Sequence, residues 1–349
     1  MRFIYLVFFA LSFFISFIAT FLVARFALRH NIVDRPDEER RFHKTPTPML
    51  GGIAIFSSFF LVTLIIGVFG GYLLNGNIPL PLLVGIWVGG GILMIGGYLD
   101  DRFRLPAPYS LAFPILASLA VISAGVHAVS IHNPLTGGVI TVSSLWSAVI
   151  VFVWTMTMTY TTKILDGVDG LVTGISAIAA LTLFGLSLSP QVAQQQTAML
   201  AIAFAGSLLG FLILNFHPAK IFLGEGGSTF AGFMLAVLAI VSGGKMATTL
   251  LIMGIPLLDV IWVVLQRLIS GKSPFSGDRR HLHFQLQEIG LSVPQSVIFL
   301  YALSGIFGVS ALFLQSRGKL IAFLILVLVM LAIIASIISI YKRRGKHYE

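Results

Sequence analysis

Apolar residues in this chain neither alternate nor keep to one helical face. They run in blocks near 20 residues, each closed by a short polar or Gly/Pro-rich break. At 1.5 Å per residue, a helix of that length crosses the ~30 Å hydrocarbon core of a bilayer. Eleven blocks predict eleven membrane spans, at residues 3–28, 49–69, 80–99, 109–128, 142–162, 171–188, 196–214, 227–243, 246–269, 295–314 and 319–341. The first is too long for the apolar core of a secretory signal and lacks a small-residue cleavage site, so it is read as a span. The expected architecture is all-α, a polytopic helix bundle forming a single integral membrane domain over residues 1–349. Loops near 30–48, 100–108, 163–171, 215–228 and 271–294 are left to carry chemistry.

Composition narrows the classes. Of the residues, 57% are hydrophobic and 10% charged, against about 25% charged in a soluble domain. That is too little polar surface for a water-facing fold. Cys 0 excludes disulfides, thiol catalysis and cysteine-bound zinc.

Charge then orients the bundle. Arg2 alone precedes the first span, whereas Arg25, Arg29, Arg35, Arg40, Arg41 and Lys44 lie at or beyond its far end. The positive-inside rule places the N-terminus outside and, with an odd span count, the tail at Lys342, Arg343, Arg344 and Lys346 inside. Of 22 Lys and Arg, only Arg2, Lys245, Arg317 and Lys319 then lie outside. The acids are an independent check, because the rule ignores them. All 13 fall in inner loops or in the spans adjoining them. Nearly every group able to do chemistry therefore belongs to one face, which predicts a site at the inner membrane surface.

The inner loops differ in what they offer. The first, Asn31 to Pro48 with Gly51-Gly52 behind it, mixes acids with bases. It reads equally as an anchor to anionic lipid or as a phosphate-handling loop that includes His43 and Lys44. The second opens on Asp100-Asp101-Arg102-Phe103-Arg104. Two carboxylates at the C-terminal end of a span are costly and face the wrong pole of the helix dipole. A divalent cation compensates them better than two exposed arginines. In the third, Lys163 precedes Asp166-Gly-Val-Asp169-Gly, a doubled Asp-Gly that an ordinary turn does not require. The fourth carries Asn215, Lys220, Phe222 and Glu225 in a Gly-rich turn that leads into a helix and can present N–H groups to phosphate. The fifth gathers Arg279, Arg280, His281 and His283, an anion clamp rather than a zinc site, since a third metal ligand is not obvious nearby. Asp259 lies inside a span and reads either as functional or as a structural hydrogen-bonding group.

Taken in order, Asp100-Asp101, Asp166-Gly-x-Asp169-Gly-Leu, Phe222-Leu-Gly-Glu225-x-Gly-Ser and Arg280-His281-x-His283 resemble the polyprenyl-phosphate N-acetylhexosamine-1-phosphate transferases. That family includes phospho-MurNAc-pentapeptide translocase and the undecaprenyl-phosphate GlcNAc-1-phosphate transferases. The resemblance covers nearly the whole chain. It implies transfer of a sugar-1-phosphate from a UDP-sugar to a polyprenyl phosphate with release of UMP, an early membrane step of envelope polysaccharide synthesis. It also implies a Mg²⁺ cofactor, with Mn²⁺ as a substitute. Carried over by position, Asp100, Asp101, Asp166 and Asp169 are the catalytic acids, and Asp101 and Glu225 hold the metal. Phe222 stacks on uracil, while His281 and His283 lie on the diphosphate side. His43, Lys44, Arg104, Lys163, Asn215, Lys220, Arg279 and Arg280 complete the expected substrate contacts. The expected partners are the UDP-sugar, the lipid phosphate and the membrane, with no nucleic acid; a homodimer is a family expectation.

Four positions depart from the family pattern. Glu225 stands where many members have Asp, Tyr160-Thr161-Thr162-Lys163 replaces Asn-Ala-x-Asn, Arg104 replaces an acid or lysine, and Phe284 replaces a histidine. These bear on substrate choice more than on reaction class. The Asp278-Arg-Arg-His281-Leu-His283 stretch is closer to the GlcNAc-type pattern than to the three consecutive histidines of the pentapeptide translocase, so UDP-GlcNAc is the expected donor. The rival readings are the pentapeptide-type transfer, a membrane transporter with its site at mid-membrane, and a silent scaffold.

Overall fold

The computed structural model describes residues 2–34, 46–74, 76, 78–128, 130–132, 138–243, 245–271 and 280–344. His43, Lys44 and Arg279 lie outside the described residues. The helices, in chain order, are α1 (Arg2–Arg29), α2 (Gly51–Val62, prolonged by π-helical turns over Thr63–Phe69), α3 (Leu80–Phe103), α4 (Ala107–Ser123), α5 (Ser144–Leu165), α6 (Leu171–Leu188), α7 (Gln195–Asn215), α8 (Gly224–Val241), α9 (Met246–Ile252), α10 (Gly254–Ile269), α11 (Leu282–Glu288), α12 (Val293–Phe313) and α13 (Ser316–Arg343). Among the described residues nine helices are long and apolar enough to cross a membrane, with α9 and α10 a tenth as a bent pair. The expected helical bundle is what forms.

Two expected spans are altered, each for a local reason. The run at 246–269 is broken by a 74° bend between α9 and α10. Pro256 explains the break, because it has no N–H for the carbonyl one turn back and its ring crowds that turn, so the helix restarts with proline in its first turn. The run at 109–128 becomes the 17-residue α4, ended by Gly125 at φ 96°, a conformation that L-residues avoid. Two antiparallel ladders also form, β1 (Val33–Asp34) with β2 (Thr47–Pro48) and β3 (Ser130–His132) with β4 (Val139–Thr141).

Helices α7 and α8 occupy the middle. Their most apolar windows are 83% and 89% buried, against 22% for α1 and 28% for α13. Small residues let α8 sit there: a Cβ on Gly232 would stand 2.3 Å from the carbonyl oxygen of Met158 on α5. In lipid, helices associate through such close packing and through interhelical hydrogen bonds, the latter averaging about 0.6 kcal/mol each. The bonds here include Ser16 Oγ to Ser207 O at 2.6 Å, Ser58 Oγ to Ser207 Oγ at 2.8 Å and Trp154 Nε1 to Ala236 O at 3.1 Å. They tie α1 and α2 to α7, and α5 to α8. The C-terminal ends of α1, α3, α5 and α7 thereby meet the N-terminal ends of α2, α4, α6 and α8 at one end of the bundle.

Candidate active site

That end encloses a cavity of about 450 Å³. Among the described residues its walls carry six carboxylates, those of Asp34, Asp100, Asp101, Asp166, Asp169 and Glu225, and a single lysine, Lys163. Asn215, Phe222, Ser228 and Phe284 also line it.

The floor is where α3 meets α8. A Cβ on Gly97 would stand 2.1 Å from the Gly226 nitrogen, and one on Gly52 would stand 2.2 Å from the Gly227 nitrogen. Three backbones therefore touch where side chains would hold them apart. This contact brings Asp101, at the end of α3, against the first turn of α8. Its Oδ1 accepts the Glu225 N–H at 3.1 Å. The cost expected for carboxylates at a helix C-terminus is thus offset partly by the positive pole of a neighbouring helix. By the same bond, the Glu225 amide is turned to Asp101 and is not open to phosphate, contrary to the expectation for this turn. The second oxygen, Asp101 Oδ2, is buried with no hydrogen-bond partner. A Cβ on Gly224, itself at φ 75°, would stand 2.5 Å from it.

The first loop is fastened to the same turn. Phe222 N–H donates to Pro48 O at 2.8 Å, while Gly51 and Gly52 N–H donate to Phe222 O and Leu223 O at 3.1 and 2.9 Å. The β1–β2 ladder pairs Asp34 with Thr47, which sets Asp34 in the cavity wall. Asn215 is held by Thr173 Oγ1, which donates to its Oδ1 at 2.8 Å, and by its own Nδ2, which donates to Ile221 O at 3.0 Å.

The doubled Asp-Gly divides its labour. Asp169 Oδ2 lies 2.8 Å from His217 Nδ1 and accepts the Ala219 N–H at 3.0 Å, tying the third loop to the fourth. Asp166 is half-buried and lines the cavity. Burial, followed by the charges of Asp101, Glu225 and Asp169, pushes its carboxyl well above the usual range.

Glu225 is already occupied. Its Oε1 lies 2.5 Å from Lys163 Nζ. Ser110 Oγ, on α4, accepts from Lys163 at 3.1 Å and donates to Glu225 Oε1 at 3.3 Å.

The fifth loop is arranged differently from the expectation of an open clamp. His281 Nδ1 lies 2.9 Å from Asp259 Oδ2, and the Leu282 N–H donates to Asp259 Oδ1 at 2.8 Å. The intramembrane acid thus holds the histidine and the start of α11. His283 is 1% exposed, and both of its ring nitrogens lack partners. Burial, then the like charge of the nearby His281, pushes its pKa down to about 3, which favours the neutral ring. It packs behind Gly167, not in the cavity wall. Arg104 caps α3 in the left-handed region at φ 52° and is exposed, as is Lys220; neither lines the cavity, and nor does Arg280.

Comparison with known proteins identifies the family. The model of glycosyl transferase family 4 matches residues 83–243, a stretch that carries Asp100, Asp101, Lys163, Asp166, Asp169, Phe222 and Glu225. Over 341 residues the chain is 30% identical to the probable undecaprenyl-phosphate N-acetylglucosaminyl 1-phosphate transferase of Bacillus subtilis, covering 95% of this chain and 91% of that protein. The chain belongs to glycosyl transferase family 4. It is also 30% identical to the decaprenyl-phosphate N-acetylglucosaminephosphotransferase of Mycobacterium tuberculosis, over 96% of this chain and 89% of that protein. The undecaprenyl-phosphate alpha-N-acetylglucosaminyl 1-phosphate transferase of Yersinia pestis is 28% identical, over 87% and 84%.

For this family 4 member, sequence reasoning missed three residues of the site. Ser110 sits in an unremarkable Pro-Tyr-Ser stretch and carries no signal. Asp34 was one acid among four in the first loop. His217 had a usable signal, a titratable residue beside proline in a loop between spans.

Proposed function

We propose that this protein, a phosphate-transferring glycosyltransferase, moves a sugar-1-phosphate onto a polyprenyl phosphate at the carboxylate-lined cavity. We take the sugar to be N-acetylglucosamine and its donor UDP-GlcNAc, released as UMP. The observation that carries the reading is the convergence of six acids and one lysine, contributed by segments scattered from residue 34 to 225, on one cavity at one end of a membrane bundle. The relatives' names favour this sugar over the pentapeptide-bearing one. A transporter is not favoured.

The chemistry suits these side chains. A lipid monophosphate has a second pKa near 6, so it is largely dianionic at neutral pH and already nucleophilic. Its oxygen attacks the β-phosphorus of the donor in line; the bond from that phosphorus to the bridging oxygen breaks, and UMP leaves with the oxygen. Asp100 orients the incoming phosphate. Phe222 offers its ring to the base. Phosphoryl transfer otherwise asks for positioning and neutralisation of charge.

Neutralisation implies a cation. Mg²⁺ commonly takes one or two protein carboxylates and fills its shell with water and substrate phosphates. The unpartnered Asp101 Oδ2, with Asp100 and Asp166 in the same wall, fits that demand. Among the described residues no three His, Asp or Glu side chains form a ready-made cage, which the same preference explains. Bound there, the ion would supply Lewis-acid neutralisation of the diphosphate. The charge bias of the loops supports a cytoplasmic site, where a soluble nucleotide meets a lipid whose tail stays in the bilayer. UMP release from a panel of UDP-sugars, with undecaprenyl phosphate and Mg²⁺ added to purified protein, tests the reading. Release from UDP-GlcNAc supports it, and no release from any donor overturns it.

A further inference from the structure

We propose that Glu225 is not a ligand of the divalent cation but the anchor of Lys163, whose ammonium is the protein's own cation for a substrate phosphate. The inference rests on the function proposed above and refines one site within it.

Three observations lead to it. First, the Oε1 of Glu225 is taken at 2.5 Å by Lys163 Nζ. Second, Ser110 closes a ring with both, at 3.1 and 3.3 Å, so α4, α5 and α8 share one polar knot. Third, the Lys163 ammonium also lies 5.5 Å from the centre of the Tyr160 ring one turn earlier, a cation–π contact that helps fix its direction.

Chemistry then separates two kinds of carboxylate in one cavity. Asp101 keeps a buried oxygen with no donor facing it, which leaves that oxygen open to a cation. Glu225 has a cation already, covalently tethered to α5. A divalent ion drawn to the same oxygen would stand close to an ammonium of like sign, and either charge would raise the cost of the other. Among the described residues that line the cavity, Lys163 is also the one lysine or arginine. A diphosphate entering there brings negative charge to a wall of six acids, and an ammonium with three donors is the matching partner. Glu225 holds that ammonium at the wall. As phosphate arrives, a donor turns to it while the others stay on Glu225 and Ser110.

The test measures cation and nucleotide separately, on full-length protein in lipid nanodiscs. Mn²⁺ affinity is read by electron paramagnetic resonance, and KM and kcat for UDP-GlcNAc by UMP release. Glu225→Gln is expected to leave Mn²⁺ affinity within about twofold, while KM for the nucleotide rises. Lys163→Met is expected to raise that KM at least tenfold, with no recovery in excess Mg²⁺, and to keep or tighten Mn²⁺ binding. Lys163→Met/Glu225→Gln removes both charges together, so it folds even if the single change strands a buried acid, and should bind Mn²⁺ like the unmodified chain. A tenfold or greater loss of Mn²⁺ affinity in Glu225→Gln, or in the double variant, overturns the proposal. So does an unchanged KM in Lys163→Met. Asp101→Asn separates the two readings: if it too leaves Mn²⁺ binding and UMP release intact, the cation site itself is misplaced and the wider function fails with it.

Discussion

Asp101 Oδ1 accepts the backbone N–H of Glu225 at 3.1 Å, so a carboxylate ending one helix caps the start of another. The two residues are 124 positions apart, and the bond exists because glycines at 97 and 226 let their backbones meet. The geometry of the cavity here is a consequence of helix packing.

Gly97→Ala tests the packing directly. The added methyl would fall 2.1 Å from the Gly226 nitrogen, and backbone cannot step aside as a side chain can. Overpacking of this kind costs about 1–3 kcal/mol. The expected outcome is a protein that still inserts and folds, with a lower melting temperature and UMP release reduced at least tenfold, because Asp101 is pushed from α8. Normal turnover would show that the close approach is dispensable.

Asp169 and its partners give a graded prediction. Asp169→Ala strands the Ala219 N–H, and an unsatisfied buried donor costs about 1–3 kcal/mol. Asp169→Asn keeps an acceptor oxygen and should lose less stability. Thermal melts in detergent should rank the alanine variant below the asparagine variant. The reverse order would place the role of Asp169 outside loop positioning.

Asp259 behaves as an orienting group for His281, not as part of the cavity. Asp259→Ala removes acceptors from both the His281 ring and the Leu282 N–H. A destabilisation of about 1–3 kcal/mol is expected from the lost acceptor of the amide alone. Hydrogen exchange should report faster opening of α11. Unchanged protection across residues 281–288 would count against the assignment.

Much of this was legible in advance, and the divide is physical. Span number and class follow from hydropathy, because lipid leaves a helix few alternatives. The acid-bearing loops could be ranked because a charge at a span end is expensive wherever it occurs. Contacts between side chains on different helices could not be read. Nothing in the run Tyr160 to Lys163 says that Lys163 meets Glu225, nor does Pro-Tyr-Ser announce Ser110 between them. The break before Pro256 was visible in principle; length and apolarity argued for one span, and proline won locally. His283 misled because a histidine in a basic cluster suggests a ligand, whereas its ring is packed away from water and neutral.

Asp166 sets a pH dependence. Its carboxyl is raised by burial first and neighbouring acids second. Ionising it therefore costs more in the folded than in the unfolded state. Stability should fall as pH rises above the ordinary carboxylate value of about 4 and level off once the raised pKa is passed. Asp166→Asn removes that cost. In metal-free buffer its melting temperature should match the unmodified protein near about pH 4 and exceed it increasingly toward about pH 7. Added Mg²⁺ should narrow the difference. A gap that shrinks with rising pH would contradict the assignment.

The central claim is that the cavity around Asp101 carries out the transfer. Its most direct test is UMP release from UDP-GlcNAc and undecaprenyl phosphate by purified Asp101→Asn beside the unmodified chain. The substitution keeps size and an acceptor for the Glu225 N–H while removing the charge. Loss of one preorganised electrostatic group commonly costs 10²–10³ in rate, so turnover should fall at least about 100-fold with the melting temperature little changed. Turnover within a few fold of the unmodified protein would contradict the account.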